Sequence, residues 1–189
     1  MKTISVKQLM VPLEAYATVS SDATLREAVV ALEKAQMTLA PSQHLHRAIL
    51  VLDEYGKVVS KIIMKDILVA LEPHYGKVEG AGVLERSGFS PDLIRDMLKN
   101  NALWAEPLQF FKERAARLKV SDFIHPPEAG EYIDENATLG EAAHQLVVQP
   151  YHSLLVTRDE EVVGILRLSD VFAKICDIIK GVEVEPSST

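Results

Sequence analysis

Two aspartates stand at matching places in the chain, and their carboxylates are the groups best suited to binding chemistry. Asp66 lies in SKIIMKDIL (60–68) and Asp170 in GILRLSDVF (164–172), so each follows a short apolar strand and opens a helix-like segment. A carboxylate at a helix N-terminus is stabilised by the helix dipole and by free amides, and it can accept two hydrogen bonds from a vicinal diol. The alternative is that each aspartate only caps or charges the first helical turn.

Catalytic and metal chemistry have little support. The chain contains no G-x-S-x-G, no Walker A loop, no H-E-x-x-H and no G-x-G-x-x-G after a strand, so we expect no enzymatic activity. Cys176, the single cysteine, lies between Ile175 and Ile178, where we expect a small buried hydrophobe. His44 and His46 form an H-x-H without a nearby acidic or cysteine partner, and we expect both to be solvated.

Composition narrows the class of partner. The chain has 189 residues and a net charge of −7, which argues against nucleic acid because phosphate-backbone binding needs a basic surface. A single cysteine permits no internal disulfide and favours a reducing compartment. The N-terminus lacks a signal-peptide core and no apolar run reaches bilayer length, so we expect a cytoplasmic protein without a membrane partner.

An internal repeat positions the two aspartates. Residues 6–36 align without a gap on residues 120–150, and the matches include Val6 with Val120 and the helix starts DATL with NATL. Past a ten-residue polar stretch (37–46) the offset falls, and Asp66 matches Asp170. We therefore predict a first repeat at 1–71, an insert at 72–117, a second repeat at 118–182 and a tail at 183–189.

Each repeat carries the same predicted elements, strand–helix–strand–strand–helix. Apolar residues at helical spacing predict helices at 24–36 and in the matching part of the second repeat, with Ser21 or Asp22 and then Asn136 as N-caps. A turn at Asp53–Gly56 between two β-rich runs predicts a hairpin. Second helices are expected at about 64–71 and 168–180. One such unit is too small to bury both helix faces, so the two should pack together.

The insert predicts a pair of helices. Ser90–Pro91 is a favoured helix start, and apolar residues recur on one side of each segment, with Trp104 between them. The pair could cover the core of the two repeats, or it could be a docking surface for a partner.

These motifs resemble a tandem pair of CBS domains (cystathionine-β-synthase-type domains), also called a Bateman module. The resemblance rests on the openings VKQLMVP (6–12) and VSDFIHP (120–126), the DATL and NATL helix starts, and the strand–Asp segments 59–68 and 163–172. It implies an α/β (α+β) fold in which two β-α-β-β-α repeats pack as a pseudo-twofold pair with two clefts. In many relatives those clefts bind AMP, ADP, ATP or S-adenosylmethionine. The family pattern Gly-h-h-Thr/Ser-x-x-Asp implies that the Asp binds ribose and the Thr or Ser helps to hold phosphate.

The two copies depart from this pattern differently. At the Thr/Ser position the first copy has Ile63, which cannot hydrogen-bond phosphate, whereas the second has Arg167, which can pair with phosphate oxygens or with an acidic neighbour. At the Gly position stand Ser60 and Gly164, and we expect the serine to narrow its cleft slightly. The cleft of Asp170 and Arg167 is therefore the better nucleotide candidate.

His152 stands before a strand of the second repeat. It could line a cleft and stack on adenine, or it could be an ordinary strand-end histidine bound to a backbone carbonyl.

The sequence thus predicts a regulatory module that binds an adenosine nucleotide and signals to an unidentified effector protein by a conformational shift. The apolar last helix and the resemblance predict a homodimer through the CBS helices. The alternative is a structural dimerisation module with no small-molecule ligand.

Overall fold

The protein folds as two repeats with a helical insert. The computed structural model describes residues 4–37, 45–72, 74–75 and 90–181. Within these ranges no helix is long and apolar enough to cross a lipid bilayer. The strands are β1 (Val11–Pro12), β2 (Thr18–Ser20), β3 (Ala48–Leu52), β4 (Val58–Ile63), β5 (Tyr132–Asp134), β6 (Ser153–Arg158) and β7 (Glu161–Arg167). The helices are α1 (Leu25–Met37), α2 (Met64–Leu71), α3 (Pro91–Asn100), α4 (Leu108–Arg117), α5 (Leu139–Val148) and α6 (Leu168–Ile179).

The strands form two sheets, one for each repeat. The first has the order β2-β3-β4 and the second the order β1-β7-β6-β5. In each repeat a parallel pair, β2 with β3 or β5 with β6, is followed by an antiparallel hairpin, β3 with β4 or β6 with β7. This is the predicted unit, β2-α1-β3-β4-α2 and β5-α5-β6-β7-α6, which confirms the mixed α/β fold of two repeats. The domain limits 1–71, 72–117, 118–182 and 183–189 stay predictions, and the tail beyond residue 181 lies outside the described residues.

The first hairpin turns where the sequence predicts. The amide of Asp53 donates to the carbonyl of Lys57 at 2.9 Å, and the Asp53 carboxylate accepts from the amides of Tyr55 and Lys57. Gly56 has a φ of +79°, a conformation that side-chain-bearing residues rarely adopt. The aspartate and the glycine together therefore fix the turn.

The helix caps differ from the sequence prediction. The predicted caps Ser21, Asp22 and Asn136 do not cap a helix. Instead, Thr24 caps α1 and Thr138 caps α5. Each threonine hydroxyl accepts from the backbone amide of the glutamate three residues on, and that glutamate carboxylate accepts from the threonine amide at 2.7 Å. These are reciprocal capping boxes of the T-x-x-E type, which satisfy two free amides at once.

The two repeats exchange their opening segments. Val6 is fully buried in the core of the second repeat, and its amide donates to the carbonyl of Ala137 at 2.8 Å. Val120 is fully buried in the core of the first repeat, and its amide donates to the carbonyl of Ala23 at 2.8 Å. β1 likewise belongs to the first repeat in sequence but pairs with β7 of the second. Each core is therefore completed by the other repeat.

The insert forms the predicted helix pair, and the two helices differ in their packing. Ser90 caps α3, accepting from the amide of Leu93, with Pro91 at the first helical position. α4 packs against α1 and α2, so it covers the first repeat, as one of the two interpretations expects. The apolar side chains of α3 remain about half exposed, among them Leu93, Ile94 and Leu98.

A buried carboxylate joins the insert to the end of α2. Glu72 is 1% exposed and accepts hydrogen bonds from the amide of Trp104 at 2.6 Å and from Nδ1 of His74 at 2.7 Å. The indole N–H of Trp104 donates to the hydroxyl of Tyr75 at 3.0 Å, and the guanidinium of Arg114 donates to the carbonyl of Leu71. Burial acts to raise the pKa of Glu72, but the bonds from Trp104 and His74 outweigh it and leave the pKa below its usual value.

We predict that Glu72→Ala detaches the insert from α2. The change leaves the Trp104 amide and the His74 ring without their acceptor, which costs roughly 1–3 kcal/mol. Urea unfolding followed by the fluorescence of Trp104, the only tryptophan, measures this loss. Because the folded-state pKa of Glu72 is lowered, its contribution is complete above the unfolded-state pKa and is lost as the pH falls through the folded-state pKa. The difference in the free energy of unfolding between the variant and the parent protein should therefore shrink in acid.

The matched control is Asp92→Ala, which removes an exposed ion pair with Arg95 in the same insert. Exposed pairs contribute about 0–1 kcal/mol. A Glu72→Ala protein as stable as the Asp92→Ala protein would show that Glu72 does not anchor the insert.

Candidate ligand cleft

A cleft of about 1190 Å³ opens between the two repeats. Its walls come from the end of β4, the start of α2, the opening of the second repeat, the strand start before β6, and the start of α6. The predicted residues Ile63, Asp66, His152 and Arg167 all line it. The fold therefore brings residues of both repeats to one site.

Asp66 lies half-buried at the start of α2 and has an unused acceptor. Its Oδ2 accepts from the amide of Ile63 at 2.8 Å, while Oδ1 has no hydrogen-bond partner among the described residues. Burial raises the pKa of the Asp66 carboxyl, and the Ile63 amide, Lys65 and His125 offset only part of that rise. A desolvated carboxylate that is short of hydrogen bonds, in a cleft, is the kind of group that binding sites contain.

Asp170 and Arg167 are paired with each other. Nε of Arg167 donates to Oδ2 of Asp170 at 2.5 Å and Nη2 donates to Oδ1 at 2.7 Å. The two side chains are only 10% and 14% exposed. Both oxygens of Asp170 are therefore occupied, and binding a diol there requires breaking a largely buried ion pair, which is costly. Of the two partners expected for Arg167, phosphate or an acidic neighbour, this structure shows the acidic neighbour.

Gly164 and Ser60 do not line the cleft. Gly164 lies beneath β1, where a Cβ would stand 2.5 Å from the carbonyl oxygen of Val11. The hydroxyl of Ser60 donates to the carbonyl of His125 at 2.7 Å. The narrowing expected from Ser60 is therefore not seen, because its side chain holds the neighbouring segment and does not enter the cleft.

His152 is exposed on the cleft wall, and its backbone carbonyl accepts from the amide of Leu168 at 2.9 Å. The cationic and titratable side chains of the cleft that sequence reasoning missed include Arg47, Lys65 and His125. Lys65 directly precedes the motif aspartate, and His125 lies in the opening VSDFIHP, so both stand within motifs that the sequence already shows.

A polar bridge joins the repeats along one wall. Nζ of Lys61, from β4, lies 2.7 Å from the carboxylate of Glu131 and donates to the carbonyl of Ser153 at 2.7 Å. The Tyr151 hydroxyl donates to Glu128 at 2.7 Å, and the Lys61 ammonium lies 5.4 Å from the centre of the Tyr151 ring. This bridge ties β4 of the first repeat to the second repeat, so the wall is shared by both.

His46 is not the solvated histidine that the sequence predicts. Its side chain is 1% exposed, and neither ring nitrogen has a hydrogen-bond partner in the part of the chain that the structure describes. The ring packs edge-on against that of Tyr16, with 4.2 Å between the ring centres. Burial first, and then the charge of Arg167, lower the pKa of His46. His44 lies outside the described residues, and no cluster of His, Cys, Asp and Glu in the described part of the chain could hold a metal ion.

Comparison with known proteins gives both a family and solved structures of the same fold. The CBS domain family profile matches residues 6–73 and 120–177. The CBS domain of a CBS domain-containing membrane protein from Sphaerobacter thermophilus is 20% identical, with a TM-score of 0.57, and the match covers 90% of this chain and 86% of that one. No curated protein sequence matches this chain.

Two further structures of similar fold were solved with nucleotides. CBSX2 from Arabidopsis thaliana, in complex with AMP, is 16% identical with a TM-score of 0.57, and the match covers 93% of this chain and 98% of that one. The CBS domain of a bacterial CNNM/CorC family Mg²⁺ transporter, in complex with ATP, is 16% identical with a TM-score of 0.58, covering 93% and 89%.

Proposed function

The chain belongs to the CBS domain family, and on that premise we propose that it is a regulatory module that binds an adenosine nucleotide (AMP, ADP or ATP) in the cleft beside Asp66. Proteins of similar fold have been solved with AMP and with ATP. S-adenosylmethionine, which carries the same adenosine group, is the other ligand to test.

The observation that carries this proposal is that Oδ1 of Asp66 has no hydrogen-bond partner among the residues that the structure describes. The hydroxyl groups of a ribose are vicinal donors, and they would supply the hydrogen bonds that this half-buried carboxylate lacks. Asp66 also stands at the position where the family pattern binds ribose. Asp170 stands at the matching position, but Arg167 already occupies its oxygens.

Phosphate groups would be held by charge. Ile63 offers no hydroxyl, so Lys65, Arg47 and the two cleft histidines, His125 and His152, are the groups that face a phosphate chain. Contacts of this kind are screened by salt. Binding of ATP should therefore weaken with ionic strength more than binding of adenosine.

The signal would be a change in the arrangement of the repeats. Because the cleft is walled by both repeats, a ligand that fits one arrangement better shifts the population towards it, and an effector protein could respond to that shift. The alternative is a structural dimerisation module. The ion pair of Arg167 and Asp170, which satisfies one ribose position without a ligand, is the observation in its favour.

We predict that Asp66→Asn weakens nucleotide binding by about 10- to 150-fold, because it removes the charge from a hydrogen-bonding partner of the ribose. Titration calorimetry with AMP, ADP and ATP measures the change. The matched control is Glu141→Gln. Glu141 makes the same kind of bond to a helix-cap amide, at 2.7 Å, but lies outside the cleft.

If the Asp66→Asn and Glu141→Gln proteins bind nucleotide with equal affinity, Asp66 is not part of the binding site. If the parent protein binds none of the nucleotides, the structural alternative is favoured.

We also propose that two copies associate through α2 and α6. Large apolar side chains on these helices are exposed, including Leu68 at 53%, Phe172 at 65% and Ile179 at 77%. Large apolar side chains exposed in this way are typical of protein interfaces.

We predict that light scattering gives a mass twice that of the 20.9 kDa chain, and that the double change Leu68→Glu with Ile179→Glu gives a monomer. Charges placed in an apolar interface lose their hydration without gaining partners. Val147→Glu, at an exposed apolar position on α5, is the control and should leave the dimer intact. A monomeric parent would contradict this proposal.

A further inference from the structure

Lys61 is a charged residue at a place where the second repeat is apolar. The repeat alignment pairs Lys61 with Ile165, which is fully buried, and Glu131 with Ala17, which is 2% exposed. Ala17 and Ile165 belong to one buried apolar cluster, whereas Lys61 and Glu131 form an ion pair, with 2.7 Å between Nζ and the carboxylate. An ion pair between the repeats therefore stands where the corresponding residues make an apolar contact.

Stability alone does not account for this ion pair. The side chains of Lys61 and Glu131 are only 7% and 13% exposed, and replacing a buried ion pair by well-packed apolar residues is often neutral or stabilising. Both side chains line the candidate cleft together with Asp66. A role in the cleft would explain why charged residues stand here.

The Lys61 ammonium has one donor to spare. Such a group carries three N–H donors; one is donated to the carbonyl of Ser153 at 2.7 Å and another faces Glu131. No acceptor for the third lies in the part of the chain that the structure describes. The ring of Tyr151, which also lines the cleft, has its centre 5.4 Å from the ammonium. A hydrogen-bond donor beside an aromatic ring suits a flat heterocycle.

The charges around Asp66 favour one orientation of a nucleotide. Lys65 and His125 act to lower the pKa of the Asp66 carboxyl and Glu131 acts to raise it, so all three lie close enough to act on its charge. A phosphate chain is attracted to the two cations and repelled by the carboxylate. Because base and phosphates leave a ribose at different carbons, a nucleotide with its phosphates at the cations directs its base towards the ion pair of Glu131 and Lys61.

We propose that Lys61 is a specificity-determining residue of the cleft, whose third N–H donates to a ring nitrogen of the adenine base while the Tyr151 ring packs against the base. This inference rests on the proposed nucleotide site and adds recognition of the base to it. The ion pair stays intact, because the donor is one that Glu131 and Ser153 do not use. Glu131 is itself held by the amide of Glu128, which donates to Oε1 at 3.0 Å, and so it fixes the position of the ammonium.

The test uses ATP and the deaza analogues of ATP in which C–H replaces N1, N3 or N7 of the adenine. Titration calorimetry measures the affinity of each ligand for the parent protein and for Lys61→Met, which keeps an unbranched apolar stem but has no donor. The matched control is Lys57→Met, because Lys57 is an exposed lysine of the same hairpin that does not line the cleft. Thermal unfolding followed by circular dichroism establishes that each variant is folded.

We expect at least one of the analogues to bind the parent protein about 10- to 150-fold more weakly than ATP, because it loses a hydrogen bond from a charged donor. The Lys61→Met protein should bind ATP and that analogue with affinities within about twofold of each other, since the bond is then absent for both ligands. The Lys57→Met protein should keep the preference of the parent.

The inference is overturned if every analogue binds the parent protein as tightly as ATP, or if Lys61→Met keeps the preference of the parent. In both cases ATP still binds, so the proposed nucleotide site stands without this role for Lys61. The comparison of analogues on the parent protein needs no variant, and it decides the matter even if Lys61→Met does not fold. A parent protein that binds no ATP would overturn both the nucleotide site and the role of Lys61.

Discussion

The exchange of Val6 and Val120 between the repeats is the constraint on which the rest of the structure depends. Each valine is fully buried in the core of the other repeat, and full burial of such a side chain contributes about 1.5–3 kcal/mol. Separating the repeats would expose both valines and break the backbone bonds to Ala137 and Ala23. The cleft walls, which come from both repeats, are therefore held at a defined distance before any ligand arrives.

The two copies of the strand–Asp motif differ in how their aspartates are bound. Arg167 and Asp170 neutralise each other in a bidentate pair, the strongest common arrangement of these groups. The first copy has Ile63 in place of the arginine, so Asp66 has only the Ile63 amide as a partner and keeps an oxygen free within the described structure. The sequence favoured the copy with more charge, whereas the geometry favours the copy whose carboxylate is not held in a bidentate ion pair.

Local patterns predicted the elements well. The repeat, the hairpin at Asp53–Gly56 and the start of α3 at Ser90 all follow from spacing and turn chemistry within a few residues. The capping box at Thr24 is present in the sequence as T-x-x-E, but Asp22 is an equally favoured N-cap type, so the sequence alone does not decide between them.

What the sequence could not predict depends on contacts between distant residues. The repeat alignment pairs Val6 with Val120, yet it cannot tell whether each valine packs in its own repeat or in the other. The burial of His46 against Tyr16 and the bond from Ser60 to His125 likewise join segments that are far apart in the chain. The sequence shows that Ser60 stands where the second repeat has Gly164, and only the fold shows that its hydroxyl binds the opening segment of the second repeat.

The most direct test of this account is a crystal structure of the protein grown with saturating ATP. We expect one nucleotide per chain, with its ribose hydroxyls within hydrogen-bond distance of Asp66 and with the Arg167–Asp170 pair intact. A nucleotide bound to Asp170 with that pair broken, or an empty Asp66 cleft, would contradict the account.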